Sequence, residues 1–139
     1  MSITYSIEER IRWSDIDIAG LIRWDAYARL VELAETELLR EAGFPFGTLY
    51  DTLEIWLPRV QFHIDYRSPV RLDETLKTEI WVGKLGRSSI RLEFAMRNAQ
   101  GALSAEGHLV IVALGRRNAK PVEVPAPLRH ALLPYRKEP

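Results

Sequence analysis

The chain has 139 residues, of which 47% are hydrophobic, with 19 basic and 19 acidic residues and no cysteine. This length suits one domain, 1–139, and the balanced charge excludes a global positive field that would attract nucleic acid. The absence of cysteine excludes disulfides, thiolate nucleophiles and cysteine metal sites. The N-terminus lacks an apolar signal core and no stretch is long enough to span a bilayer, so we expect a cytoplasmic protein with no membrane partner.

The first predicted element is a half-buried strand. Apolar and polar residues alternate from Ile3 to Trp13, and a period of two is typical of a strand with one buried face. The segment from Ser14 to Gly20 breaks this pattern with two aspartates and a glycine. That composition predicts a turn.

One long helix is predicted next, with Asp25 or a neighbour able to start it and Gly43 able to stop it. Its apolar residues recur at helical spacing: Ala26, Tyr27, Leu30, Val31, Leu33, Ala34, Leu38 and Ala42. So broad an apolar face predicts a helix wrapped by a sheet. The stretch from Phe44 to Ile55 contains Pro45 and Gly47 and is predicted to be a loop with room for a short helical turn.

The remaining chain is predicted to be mostly strands. Three runs alternate with period two and a fourth is more continuously apolar: 58–66, 76–83, 90–97 and 102–114. Short turns at 83–87 and 98–101 join them, and strands joined by short turns must be antiparallel. The proline-rich tail is predicted to be extended, with one short helix near Leu128 to Leu133. The element order therefore predicts an α+β fold, with one long helix against a five-stranded antiparallel sheet.

The most specific local signal is the nonapeptide 12–20, Arg-Trp-Ser-Asp-Ile-Asp-Ile-Ala-Gly, between the first strand and the helix. Asp15, Asp17, Gly20 and Tyr27 match a pattern of a strand, an Asp-x-Asp-x-x-Gly segment and a helix with an early tyrosine. This pattern resembles the 4-hydroxybenzoyl-CoA thioesterase family of the hotdog superfamily. Further resemblance lies at 65–70, 73–76 and 85–89, so it covers about residues 7–129.

The resemblance implies a hotdog fold and an acyl-CoA thioesterase whose catalytic carboxylate is Asp17. Such a carboxylate either attacks the thioester carbonyl or activates a water that does so. The resemblance also assigns carbonyl polarisation to the backbone amide of Trp24, with Gly20 and Tyr27 in the substrate site. Free N–H groups and the dipole at a helix start suit a developing oxyanion. The alternative for Asp17 is a turn aspartate that bonds its own backbone.

Other acidic residues receive different expectations. We expect Asp15 to have a structural turn or capping role. Glu32 lies opposite the apolar arc, which favours a salt bridge. Glu37 and Glu41 fall inside or beside that arc, and some hotdog thioesterases use a helix carboxylate, so either is an alternative base or an interface residue. Asp25 could cap the helix or compete with the substrate oxyanion.

A phosphate-binding cluster is predicted at one strand turn: Lys84, Arg87, Ser88 and Ser89. Its cations, hydroxyls and N–H groups could hold CoA phosphates, and the resemblance implies that this turn meets the nucleotide. The alternative is an ordinary solvated hairpin. Arg116 and Arg117 form a second, less specific candidate.

The three histidines, His63, His108 and His130, lie singly, without metal-ligand spacing, so no metal site is predicted. Trp56 and Leu57 could line an acyl pocket or pack in the core. No cofactor is expected apart from the CoA of the substrate.

Two alternatives to a thioesterase stay open. A hotdog hydratase or dehydratase usually needs a histidine near the helix start, and none is present here. A non-catalytic module that binds acyl-CoA or another small molecule could use the same scaffold. An acyl-carrier-protein thioester is an alternative substrate. The uncovered sheet face and edges predict a homodimer or homotetramer, and the resemblance implies an active site at the dimer interface.

Overall fold

The computed structural model describes residues 2–138. Five strands form one antiparallel sheet: β1 (Tyr5–Arg10), β3 (Arg59–Tyr66), β4 (Thr75–Leu85), β5 (Ser89–Asn98) and β6 (Leu103–Val112). The strand order is β1-β4-β5-β6-β3, so β1 and β3 are the two edges. The long helix α1 (Ala26–Glu41) packs on one face of this sheet. The predicted α+β architecture is confirmed.

The core lies between α1 and the sheet. Leu30, Ala34 and Leu38 on α1 are fully buried, as is Ile80 on β4. Their spacing of three and four residues on the helix, and of two on the strands, gives each element one apolar face. The opposite sheet face carries paired charges, including Arg97 with Glu79 at 2.9 Å and Arg91 with Glu93 at 2.7 Å. An antiparallel sheet with one face packed and one face polar follows from that alternation.

Three details differ from the sequence prediction, and one agrees with it. Strand β1 ends at Arg10, and a short 3₁₀ turn covers Trp13–Asp15. The predicted loop after α1 contains the eight-residue helix α2 (Phe46–Leu53), whose Leu49 side chain is fully buried. The final run is split into β6 and a two-residue strand β7 (Leu114–Gly115), which pairs with β2 (Ile55–Trp56). The tail helix is α3 (Ala126–Leu132), close to its predicted position.

Gly107 permits a close approach between β6 and β3. A Cβ atom at this position would collide with the carbonyl oxygen of His63 on β3 and would lie 2.8 Å from the Phe94 ring. Only glycine therefore fits where these two strands and the Phe94 side chain meet.

Within residues 2–138, no helix has both the length and the apolar character required to cross a membrane.

Candidate active site

The loop that leads from β1 to α1 is anchored by Asp15. This side chain is 2% exposed and accepts a hydrogen bond from the Arg12 N–H at 2.9 Å. The Arg29 guanidinium, one turn into α1, donates to both of its carboxylate oxygens, at 2.8 and 2.9 Å. The Asp15 carbonyl also accepts from the Arg23 N–H at 2.7 Å. A buried carboxylate with these donors ties the strand end, the loop and the helix together, which is a structural arrangement.

Asp17 lies two residues further along the same loop and is exposed. Its Oδ1 accepts a hydrogen bond from the Ala19 N–H at 2.8 Å, so it forms the turn contact that is typical of aspartate. Its N–H donates to the Leu21 carbonyl at 2.9 Å, and Gly20 follows with a φ of 77° that favours glycine. The local backbone thus holds one carboxylate oxygen and leaves the other free.

Asp17 lines a cleft of about 390 Å³ at the start of α1. Trp24 and Tyr27 form the helix side of this cleft, and the segment from Tyr66 to Pro69 forms the strand side. Among the described residues, no acceptor lies within hydrogen-bonding distance of the Trp24 N–H. The Asp25 side chain does not cap α1 but bonds Arg23 instead, with both contacts at 3.1 Å. The cleft is therefore lined by Asp17, one oxygen of which is free of hydrogen bonds within residues 2–138, and by Trp24, which immediately precedes the N-cap residue of α1.

Two tyrosines fix the wall of the cleft next to Trp24. The Tyr66 hydroxyl donates to the Trp24 carbonyl at 3.0 Å, which restrains the peptide group around Trp24. The Tyr66 ring also meets the Tyr27 ring edge-on, with centroids 5.1 Å apart. Burial, and to a lesser extent Tyr66, raises the pKa of Tyr27 to about 12, so its hydroxyl stays protonated at neutral pH.

Gly20 borders a second hollow, of about 540 Å³, on the other side of Asp17. Its walls are largely apolar and include Trp13, Ile18 and Leu72. The side chains of Trp13 and Ile18 are among the most exposed large apolar groups of the protein. Asp17 thus separates two depressions, and only the first also contains the Trp24 amide and the early tyrosine of α1.

The predicted phosphate-binding cluster lies at the opposite end of the sheet from Asp17. In the β1–β4 pairing, the Asp17 loop follows Arg10, which pairs with Thr75, whereas Lys84 lies nine residues further along β4. At about 3.3 Å per residue, Lys84 is roughly 30 Å from Thr75 and therefore from the end of the sheet where the Asp17 loop lies. Arg87, Ser88 and Ser89 follow at the same end, so one chain does not bring this cluster to the cleft. Arg116 and Arg117 also lie at that end, where Arg116 bonds Asp51 at 2.6 Å.

The carboxylate buried on α1 is Glu35, which is not among the site residues predicted from the sequence. Glu37 is half-buried and pairs with Arg40 at 3.3 Å, while Glu41 and Glu32 are exposed. Glu37 and Glu41 therefore lie beside the buried face of α1, neither lines the Asp17 cleft, and their role as an alternative base or an interface residue stays a prediction. Glu35 lies four residues after Val31 and four before Leu39, and this spacing is the signal that marks it.

Glu35 is fully buried and forms an ion pair with Arg59 at the start of β3. Its Oε1 accepts from the Arg59 guanidinium, whereas its Oε2 has no hydrogen-bond partner within residues 2–138. Burial raises the pKa of Glu35 to about 7, and Arg59 only partly offsets that rise. Neither residue lines the Asp17 cleft.

Two of the histidines are not isolated, because the strand register brings them together. His63 on β3 pairs with His108 on β6, and their rings stack with centroids 5.4 Å apart. Burial, followed by the nearby Arg91, lowers the pKa of His108. Both rings lie on the polar sheet face and neither lines the cleft. Within residues 2–138, no three His, Cys, Asp or Glu side chains are arranged to hold a metal ion.

Trp56 is 40% exposed at the end of β2, where it stacks under Arg116, and Leu57 is buried in the core. In one chain, neither residue reaches the Asp17 cleft.

Known proteins show similarity to nearly the whole chain. The sequence model of the thioesterase-like superfamily matches residues 11–132. The acyl-CoA thioester hydrolase YbgC of Escherichia coli is 25% identical over 116 residues, which cover 84% of this chain and 86% of that protein.

Two solved structures superpose closely. The 1,4-dihydroxy-2-naphthoyl-CoA thioesterase from Synechocystis gives a TM-score of 0.86 at 18% identity, covering 93% of this chain and 95% of that one. A Staphylococcus aureus protein in complex with CoA gives a TM-score of 0.90 at 11% identity, covering 100% of this chain and 88% of the other. At these identities the superpositions show the fold alone, and they confirm the hotdog architecture.

Proposed function

Because this chain belongs to the thioesterase-like superfamily, we propose that it hydrolyses acyl-CoA thioesters and that Asp17 is the carboxylate that carries the reaction. One observation supports this role above the others: Asp17 and Trp24 line the same cleft beside α1, and neither the second oxygen of Asp17 nor the Trp24 N–H has a hydrogen-bond partner within residues 2–138. Hydrolysis of a thioester requires a nucleophile or base on one side of the carbonyl and a donor for its oxygen on the other.

In the proposed reaction, the Trp24 N–H and Asp17 have different roles. The thioester carbonyl oxygen points at the Trp24 N–H, where the dipole of α1 adds to the attraction for negative charge. The carbonyl carbon then faces Asp17, which either adds to it directly or removes a proton from an attacking water. The C–S bond breaks and the thiolate of CoA leaves, so a strong general acid is not required. In the direct route the acyl group remains on Asp17 as a mixed anhydride, which water then hydrolyses. Either route yields the free acid and CoA.

The turn hydrogen bond of Asp17 is compatible with this role. The Ala19 N–H occupies Oδ1 and leaves Oδ2 as the free oxygen. A carboxylate held at one oxygen by a short loop is preorganised, so little conformational entropy is lost when the substrate binds. The turn role and the catalytic role can therefore belong to the same residue.

The active form is proposed to be a homodimer or a dimer of dimers. Strand β3 is an open sheet edge, and it carries the exposed apolar residues Val60 and Phe62. An exposed apolar edge strand is prone to pair with another strand, and pairing with a second copy would protect it. This arrangement places the cleft beside the interface, because Tyr66 at the end of β3 is one wall of the cleft.

A thiol-release assay tests the proposed activity. Purified protein is offered short, long and aromatic acyl-CoAs and, in parallel, acyl-carrier-protein thioesters. We expect release of free thiol with at least one substrate, and we expect Asp17→Asn to abolish it. Substrate binding without thiol release by the wild type would instead indicate a binding module. Conversion of an enoyl or 3-hydroxyacyl thioester without thiol release would indicate a hydratase.

A single turnover in oxygen-18 water separates the two roles of Asp17. Label that appears in the Asp17 side chain would show a covalent acyl-enzyme intermediate. Label that appears only in the product acid fits water activation by Asp17.

A further inference from the structure

A pair of tyrosines crosses the space between α1 and β3 at the Asp17 cleft. Tyr27 and Tyr66 both line the cleft, and their rings meet edge-on with centroids 5.1 Å apart. Tyr27 is 4% exposed, so the core holds its ring in place. The Tyr66 hydroxyl donates to the Trp24 carbonyl at 3.0 Å, which restrains the second ring. The two rings therefore form a wall between the helix and the strand.

A second apolar hollow lies behind this wall. Its volume is about 300 Å³, and six residues line it: Ala28, Val31, Glu32, Arg59, Phe62 and Leu109. Val31 lies one helical turn beyond Tyr27, and Phe62 precedes Tyr66 by four residues on the same face of β3. Both steps lead away from Asp17. The cleft and the hollow thus follow one another between α1 and β3, and they share no lining residue.

The floor of this hollow suits an alkyl chain. Val31 and Leu109 are each 1% exposed, so the floor is part of the packed core. The apolar hollow on the other side of Asp17 is different, because its walls include Trp13 and Ile18, whose side chains are largely exposed. A hollow with a buried floor removes more of an alkyl chain from water. An acyl group therefore gains more on the α1 side of Asp17.

We infer that the wall of Tyr27 and Tyr66 limits the acyl group to a short chain or a single ring, and that a longer chain enters the hollow only when the wall is opened. This inference rests on the proposed thioesterase activity. Tyr27 lies three residues after Trp24, about 4.5 Å along the helix axis. Only a few carbon atoms fit between a carbonyl at the Trp24 N–H and the wall, so both tyrosines determine specificity.

Removal of the exposed ring tests this limit. Tyr66 is 49% exposed, so Tyr66→Ala is expected to fold, as circular dichroism and thermal melting would show. In the wild type, kcat/KM should stop rising once the acyl chain reaches the tyrosines. In Tyr66→Ala the rise should continue to longer chains. The kcat/KM ratio of decanoyl-CoA to hexanoyl-CoA should increase at least about tenfold, since each buried methylene group is worth about fourfold.

Two further variants separate the ring from the hydroxyl and the hollow from a general loosening. Tyr66→Phe keeps the ring and lacks the hydroxyl, so its decanoyl-to-hexanoyl ratio should equal that of the wild type even where kcat falls. Ala28 is exposed and lines the hollow, so Ala28→Phe fills it from the helix side. Added to Tyr66→Ala, this substitution should return the ratio to within about threefold of the wild-type value.

Each variant can contradict the inference. An unchanged decanoyl-to-hexanoyl ratio in folded Tyr66→Ala would refute the wall. An equal rise in Tyr66→Phe would assign the effect to the hydroxyl and not to the ring. A raised ratio that survives the addition of Ala28→Phe would place the longer chain outside this hollow. If Ala28→Phe changes only the elution volume on size-exclusion chromatography, a second copy of the chain fills the hollow and the acyl group does not.

A binding measurement keeps this test separate from the proposed activity. Absence of thioester hydrolysis in the wild type would refute the proposed function alone. Non-hydrolysable thioether analogues of hexanoyl-CoA and decanoyl-CoA then report binding by calorimetry. Tyr66→Ala should strengthen binding of the decanoyl analogue over that of the hexanoyl analogue by at least about tenfold. An equal change in the Kd of both analogues would refute the wall.

Discussion

Two acidic residues, one in the loop before helix α1 and one within the helix, lie in opposite environments. At the N-terminal end, Asp17 is exposed, bonded at one oxygen by its own loop and open to a cleft at the other. Further along the helix, Glu35 is fully buried, is paired with Arg59 and is far from that cleft. Burial raises the pKa of Glu35 to about 7.

This contrast shows that a perturbed carboxyl group is not the best candidate for catalysis in this protein. A shifted pKa marks functional sites because chemistry requires tuned groups, but buried ion pairs cause the same shift for structural reasons. Glu35 has no access for a substrate, whereas Asp17 has a substrate-sized space and a hydrogen-bond donor beside it. Access and a nearby oxyanion donor therefore outweigh electrostatic perturbation as criteria here.

A pair of isosteric substitutions tests most directly which of the two acids catalysis requires. We expect Asp17→Asn to lower kcat by about 10²–10⁴-fold, because it removes the base or nucleophile. Glu35→Gln should change kcat by less than about threefold, since only indirect effects reach the cleft. Steady-state kinetics on the best acyl-CoA measures both. A larger loss in Glu35→Gln than in Asp17→Asn would reverse the assignment.

The pH dependence of stability tests whether burial perturbs Glu35. The folded-state pKa of Glu35, about 7, lies above the ordinary glutamate value of 4.5, so between these pH values the native state binds a proton that the unfolded state does not. The free energy of unfolding should therefore decrease as the pH rises from about 5 to 8, by roughly 2–3 kcal/mol from this group. Denaturant titrations of wild type and Glu35→Gln isolate the effect, because the variant lacks it. If the difference in free energy of unfolding between the two proteins does not change over this pH range, Arg59 keeps Glu35 ionised throughout.

Removal of the Glu35 counter-ion should affect stability more than any change at Asp17. Arg59→Ala leaves a buried carboxylate without its partner, and breaking a fully buried pair costs about 3–5 kcal/mol. Because the Arg59 side chain is 43% exposed, we expect a smaller loss of about 1–3 kcal/mol at pH 8. Asp17→Asn is the matched substitution, with an expected change within about 0.5 kcal/mol. Equal losses in the two variants would remove the distinction between a structural and an accessible acid.

The smallest expected effect concerns the Trp24 peptide group. Tyr66→Phe removes the hydroxyl that holds the Trp24 carbonyl at 3.0 Å, a hydrogen bond worth about 0.5–1 kcal/mol. We expect kcat to fall by up to about fivefold, because the Trp24 N–H is less well oriented. Tyr50→Phe, near Glu35 rather than the cleft, should leave kcat unchanged. An unchanged kcat in Tyr66→Phe would show that the Trp24 peptide is held by the loop alone.

The sequence was sufficient to predict the fold and the Asp17 loop, because both depend on local patterns. Period two and helical spacing identified the five strands and α1, and the Asp-x-Asp-x-x-Gly segment placed Asp17 between them. Helix α2 was harder, since Pro45 and Gly47 at its start weaken the helical pattern. The pair β2 and β7 has two residues in each strand, which is too short for any period to show.

The sequence could not reveal the contacts that depend on strand register and direction. Glu35 and Arg59 are 24 residues apart, and their contact requires the bulge at the start of β3. The stacking of His63 on His108 needs the pairing of β3 with β6 to be known to the residue. The distance between Lys84 and Asp17 likewise follows from strand direction and not from composition. These contacts and this distance depend on the tertiary structure, so residue types and spacings alone do not determine them.

Gly107 has no functional group and touches no part of the cleft, yet it controls the cleft's dimensions. Any side chain there would push β3 away from β6, and Tyr66 would move with the strand and leave the Trp24 carbonyl. A saturation mutagenesis screen that scores turnover should therefore mark this position as intolerant, although it is remote from the chemistry. The hydrogen atom that Gly107 has in place of a side chain thus sets how closely β3 and β6 can approach each other.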